Sequence, residues 1–101
     1  MSKTDLKNLL NKIGKGIFVQ YFHEFGDSSI SSQTMIALLQ SDKLFTLKSC
    51  ASRTYKSRRI FREGLEKEAL SIIAESHHVE QKVAAKALAL LASLRAKGTD
   101  K

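Results

Sequence analysis

The sequence predicts an all-α protein, a compact bundle of about five helices in a single domain of residues 1–101. Three observations favour this fold class. Apolar residues recur at intervals of three and four along most of the chain, which is the spacing of one helix face. No segment shows the sustained apolar–polar alternation that is typical of a half-buried strand. The chain contains no proline, the residue that most often interrupts a helix.

The N-terminal helix is predicted to begin after Ser2 or Thr4, because either hydroxyl can cap its first turn. Gly14 and Gly16 lie off its apolar stripe and each lowers helix stability by roughly 1 kcal/mol, so a bend or break would fall there. A loop is predicted from Gly26. The stripe, whose aromatic end should anchor the core, consists of Leu6, Leu9, Leu10, Ile13, Ile17, Phe18, Tyr21, Phe22 and Phe25.

Two central helices are predicted from start signals at Ser31 and Thr46, each of which is a capping residue that follows an apolar one. The first helix is short and should end between Gln40 and Lys43. The second should run to Arg62, with one small apolar side and one basic, hydroxyl-bearing side. The predicted apolar side carries Leu47, Cys50, Ala51, Thr54 and Phe61.

The rest of the chain predicts two more helices. Apolar residues from Leu65 to Ile73 keep helical spacing to about Ser76, and His77 and His78 mark a turn. The last helix, about 79–96, carries a wide alanine-rich stripe that suits either the core or a homodimer interface. Residues 97–101 are expected to be a frayed tail.

Positive charge is concentrated in one segment. The chain has 17 Lys and Arg against 10 Asp and Glu, for a net charge of +7. From Lys43 to Arg62 there are seven basic residues and no Asp or Glu, so this segment carries the whole excess. A charge distribution of this kind attracts polyanions.

The helix pair of residues 31–62 resembles the helix-turn-helix DNA-binding domains. The resemblance rests on residues 32–39 and 46–53, with Ala37 as the small residue inside the first helix. It implies that the second helix enters the major groove of duplex DNA, and it suggests a role in transcription regulation. Ser41 stands where these domains usually have a turn glycine, and the turn from Ser41 to Phe45 is predicted to be longer than theirs.

The candidate nucleic-acid-binding residues come from this basic segment. Arginine can donate to two acceptors of guanine, and hydroxyl groups can bond to base edges or phosphates. The predicted base-facing residues are Ser49, Ser52, Arg53 and Lys56. The predicted phosphate-facing residues are Lys43, Lys48, Arg59 and Arg62. Tyr55 could contact a sugar or phosphate, and Arg58 is expected to reach water or a carboxylate.

Two alternatives use the same helix. One is a protein-interaction adaptor or inhibitor that docks on an acidic partner, with an exposed Ile60 as an apolar contact. The other is RNA binding. An enzyme is not expected, because no phosphate-binding loop or catalytic triad is visible.

No cofactor or metal is expected. Cys50 is predicted to be a buried core residue, and His77 and His78 are adjacent, so on a helix they would point about 100° apart and chelate poorly. No apolar run approaches the roughly 18–20 residues that span a bilayer, so no membrane contact is expected. With no apolar signal segment and a single cysteine, the expected location is cytoplasmic.

Overall fold

The computed structural model describes the backbone of residues 1–98 and the side chains of residues 1–96. Within this range the protein has no strand, which confirms the all-α prediction. The helices are α1 (Lys3–Ile13), α2 (Lys15–Gln20), α3 (Phe22–Gly26), α4 (Ser32–Lys43), α5 (Leu47–Arg62), α6 (Glu66–Glu75) and α7 (Gln81–Gly98). None of the helices so described is both long enough and apolar enough to cross a membrane. Of the predicted frayed tail, residues 99–101 lie outside the described residues.

The prediction of about five helices is wrong, because the N-terminal stripe forms three helices instead of one. Ser2 caps α1 and forms a capping box with Asp5: its Oγ accepts from the Asp5 N–H at 3.1 Å. Gly14 ends α1 with a φ of 94°, a conformation that L side chains rarely adopt. Tyr21 then separates α2 from α3.

These short helices place an aromatic cluster at the centre of the core. The rings of Phe18 and Phe22 meet edge to face, with centroids 5.6 Å apart. Phe61 reaches them from α5, with its centroid 4.9 Å from that of Phe22 and 5.8 Å from that of Phe18. Such pairs stabilise a fold beyond the area they bury, so they fix the C-terminal half of α5 to the core.

The turn between α4 and α5 is only three residues long, Leu44 to Thr46. Both predicted caps are confirmed: Ser31 Oγ accepts from the Thr34 N–H and Thr46 Oγ1 from the Ser49 N–H, each at 3.1 Å. The longer predicted turn is wrong, because Ser41 lies inside α4. The chain reverses at Leu44 instead, in the left-handed region with φ 57° and ψ 26°.

A partly buried hydrogen bond fastens the end of α4 to the core. Tyr21 is 4% exposed, and its hydroxyl donates to Asp42 Oδ2 at 2.9 Å. Burial is the main factor that raises the pKa of Tyr21 from 10.0 to about 12. The hydrogen bond to the Asp42 carboxylate is the second. The folded protein therefore holds this phenol proton more tightly than the unfolded chain does.

Stability is expected to fall as pH rises from about 10 to about 12, because the unfolded chain loses the Tyr21 proton first. The contribution is fully present below pH 10 and is on the order of 2–3 kcal/mol. Urea unfolding of the parent and of Tyr21→Phe across this pH range isolates the contribution of Tyr21 ionisation, since both chains share every other titrating group. Equal losses of stability in the two chains would show that Tyr21 contributes none.

Candidate nucleic-acid interface

The solvent-facing side of α5 differs from the predicted one. The buried residues of this helix are Cys50, Thr54, Ser57 and Ile60. At about 100° per residue, the mean direction of these four buried residues around the helix axis is roughly 60° from that of the predicted apolar side. Leu47, placed on the apolar side, is 60% exposed, whereas Ile60, predicted to be exposed, is completely buried.

Arg53 explains this rotation, because it lies between α5 and the end of α1. Its Nη1 donates to the carbonyl oxygen of Ile13, the last residue of α1, and its Nε donates to Ser49 Oγ at 3.0 Å. Its Cζ lies 4.2 Å from the centroid of the Phe45 ring. The last carbonyls of a helix lack helical donors and carry partial negative charge, so a guanidinium is a favourable cap there. Arg53 thus joins α1, α5 and the turn before α5.

The four predicted base-facing residues are brought together, but all of them are half-buried. Ser49 accepts the Arg53 hydrogen bond, and Lys56 Nζ donates to Ser52 Oγ at 2.6 Å. Their polar groups are therefore engaged within the protein. Ser52 and Lys56 border the exposed side of α5, whereas Ser49 and Arg53 lie towards α1.

The exposed side of α5 carries Lys48, Tyr55, Arg59 and Arg62. These four positions lie within about 60° of one another around the helix axis. In the described part of the chain, Arg59 has an ion pair, 2.8 Å from its Nε to Glu63 Oε2, and Lys48 and Arg62 have none. The Arg59 hydrogen bond is the main reason that the pKa of Glu63 lies below its ordinary value.

Lys43, the remaining predicted phosphate contact, lies near residues of α2 and α7 and not on the exposed side of α5. It is half-buried at the end of α4 and lines a cavity of about 400 Å³. The other basic residues at this cavity are Lys82 and Lys86 of α7. The structure therefore does not unite Lys43 with the exposed side of α5.

Arg58 binds backbone and hydroxyl oxygens, not the water or carboxylate predicted for it. Its Nη2 donates to the carbonyls of Glu24 at 3.4 Å and Asp27 at 3.3 Å, and its Nη1 to Ser32 Oγ at 3.3 Å. These bonds attach α5 to α3, to the start of α4 and to the segment between them. Like Arg53, this arginine holds helices together.

Sequence reasoning missed an apolar feature beside the basic surface. Leu44 is 88% exposed, and Leu47 and Tyr55 are 60% and 57% exposed. Leu44 is also in the left-handed region, which costs a residue with a Cβ roughly 1–2 kcal/mol. The exposure of Leu44 could have been predicted from its place between the end of one helix and the cap of the next, since such short connections lie on the surface.

No cluster of three or more His, Cys, Asp or Glu side chains that could hold a metal ion is found among the described residues. Cys50 is buried, and burial raises the pKa of its thiol, which disfavours a reactive thiolate. Comparison with protein-family models finds no match for this chain, and comparison with curated proteins and with solved structures finds none either.

Replacing Arg53 with alanine is expected to lower the free energy of unfolding by about 2–3 kcal/mol, because charge-assisted hydrogen bonds and a cation–π contact are lost. Lys48→Ala is the matched control: it removes the same charge from the same helix at an exposed position and should change stability by no more than about 0.5 kcal/mol. Urea unfolding of both variants measures the difference. Coincident unfolding curves for the two variants would rule out the capping role of Arg53.

Proposed function

We propose that this protein binds nucleic acid, with duplex DNA as the favoured form, through the exposed side of α5. The observation that supports the proposal is the convergence of Lys48, Arg59 and Arg62 on one exposed helix side, with Tyr55 among them. Cationic side chains grouped in this way attract a polyanion and release counterions from it on binding.

The dimensions of α5 suit a duplex. An α-helix with its side chains is about 10–12 Å across, and the major groove of DNA is about 12 Å wide. Lys48 and Arg62 are separated by about 21 Å along the helix axis, which corresponds to about six base-pair steps. The basic side chains at the two ends of α5 can therefore reach phosphates on opposite sides of a groove.

The Arg59–Glu63 ion pair is compatible with this function. Both side chains are exposed, and an exposed ion pair contributes at most about 1 kcal/mol. Exchanging the carboxylate for a backbone phosphate is therefore inexpensive, since the two non-bridging oxygens of a phosphodiester can accept from the same guanidinium as the carboxylate did.

Sequence-independent binding is part of the proposal. Ser49 accepts a hydrogen bond from Arg53, Arg53 also caps the end of α1, and Ser52 and Lys56 bond to each other. The exposed groups are those expected to contact phosphates and sugars, which carry no direct sequence information. We therefore expect phosphate contacts to dominate, with weak preference among base sequences.

The double variant Lys48→Ala/Arg62→Ala is expected to bind a labelled DNA duplex more weakly, and the slope of log K against log salt should become shallower by about 1.8. Fluorescence anisotropy at several salt concentrations measures both effects. Lys82→Ala/Lys86→Ala on α7 is the control, because it removes the same charge elsewhere. An unchanged slope in the α5 variant would exclude this surface, and stronger binding of structured RNA at matched salt would make RNA the target.

An acidic protein partner is the second candidate, and the exposed leucines favour it. Leu44 and Leu47 lie beside Lys48, so the surface offers apolar anchors next to positive charge. Apolar or aromatic anchors and arginines are typical of the residues that dominate protein–protein binding. DNA phosphates make no use of an exposed leucine side chain, whereas an acidic amphipathic segment would cover it.

Leu44→Gly separates the two candidates. Glycine adopts the left-handed conformation freely, so the turn should be kept and stability should not fall by more than about 0.5 kcal/mol. We expect duplex affinity to remain unchanged and capture of an acidic protein partner to be lost. Pull-downs with the parent and variant, with and without nuclease, test this. A captured protein that survives nuclease and disappears with Leu44→Gly would favour the second candidate; one that persists with Leu44→Gly would count against it.

A homodimer through α7 also stays a prediction. Leu88 is 57% exposed, and Ala85, Ala89 and Ala92 are exposed near it on the same helix. These small residues would let a second α7 approach closely. A two-fold dimer would present two copies of α5 to one duplex.

A further inference from the structure

A second basic surface lies on the side of α1 away from α5. A cavity of about 310 Å³ opens between α1, the end of α6 and the residues that follow α6. Lys3 and Lys7 line it from α1, Lys15 from the start of α2, and His77 and His78 from the opposite wall. None of these residues takes part in the interface on α5.

The lysines converge because of their spacing. Lys3, Lys7 and Asn11 recur every four residues, so they share one face of α1. Lys15 continues this line beyond the break at Gly14. Its Nζ donates to Ser76 Oγ at 3.0 Å, a bond that holds the ammonium group in the cavity wall.

Positive charge in this cavity is poorly balanced. Three ammonium groups and two imidazole rings line it with a single carboxylate, that of Glu75. No ion pair connects Lys3, Lys7 or Lys15 to a carboxylate in the part of the chain that the structure describes. Like charges around a concave surface repel one another, and an anion between them relieves the repulsion.

We propose that this cavity binds a phosphate group. A phosphate presents several strong acceptor oxygens in a tetrahedral arrangement, so ammonium, amide, hydroxyl and imidazole donors can bind it together. The cavity adjoins a second one of about 360 Å³ that shares Asn11, Lys15 and His78, which leaves room for a group attached to the phosphate. Free phosphate and the 5′-phosphate of a mononucleotide share the chemistry that the cavity recognises.

The three histidines provide a direct test with an internal control. His77 and His78 line the cavity, whereas His23 is exposed on α3 outside it. Inorganic phosphate is titrated into the full chain at constant pH, with sodium chloride at matched ionic strength as the reference, and the imidazole proton resonances are followed by NMR. We expect saturable shifts at His77 and His78 and none at His23.

Variants that replace lysine with glutamine test the donors. Lys7→Gln/Lys15→Gln should raise the apparent Kd for phosphate about tenfold, since two charge-assisted contacts are lost. Lys12→Gln changes the opposite face of α1, which lines a different cavity with Arg59, and should leave the Kd within about twofold. Far-UV circular dichroism confirms that each variant is folded.

Adenosine 5′-monophosphate identifies the source of the phosphate. Affinity at least about tenfold above that of inorganic phosphate indicates a nucleotide, and equal affinity indicates free phosphate; both outcomes support the site. Shifts that rise without saturation, that are equal at His23, or that survive Lys7→Gln/Lys15→Gln overturn it. Because the α5 variants are tested separately on duplex DNA, failure here leaves that proposal standing.

Discussion

The contact of Arg53 with the carboxyl end of α1 is the interaction on which the helix arrangement depends. Gly14 favours it, because the φ of 94° would strain any side chain and a Cβ atom there would lie a tight 3.0 Å from Arg53 Nη1. The guanidinium approaches through this gap and caps Ile13. The contact fixes α1 along one side of α5 and thereby decides which side of α5 meets solvent.

The basic segment consequently has two uses. Arg53 and Arg58 hold helices together, whereas Lys48, Arg59 and Arg62 point outward. The acceptors of the two inner arginines are carbonyl and hydroxyl oxygens, which carry no net charge. Neither arginine forms an ion pair among the described residues, so both charges still contribute to the field around α5, although the nearby Asp27 carboxylate partly offsets that of Arg58.

Local chemistry made much of the fold predictable, and tertiary packing accounts for the rest. The caps at Ser2, Ser31 and Thr46 follow from neighbouring residues alone, so the sequence reveals them. The rotation of α5 does not follow from hydropathy, because its buried line includes Ser57, whose hydroxyl has no hydrogen-bond partner among the described residues. For this reason the candidate surface keeps Lys48, Arg59 and Arg62 of the predicted phosphate-facing residues, whereas the four predicted base-facing residues are half-buried.

The number of outward cations limits how tightly one copy can hold a duplex. If Lys48, Arg59 and Arg62 each neutralise one phosphate, the slope of log K against log salt is only about −2.7. Binding of this kind lies near the non-specific range, with Kd of about 10⁻⁴ to 10⁻⁶ M at physiological salt. A useful affinity then requires a second contact on the same polymer, because linked contacts multiply affinity through effective concentration.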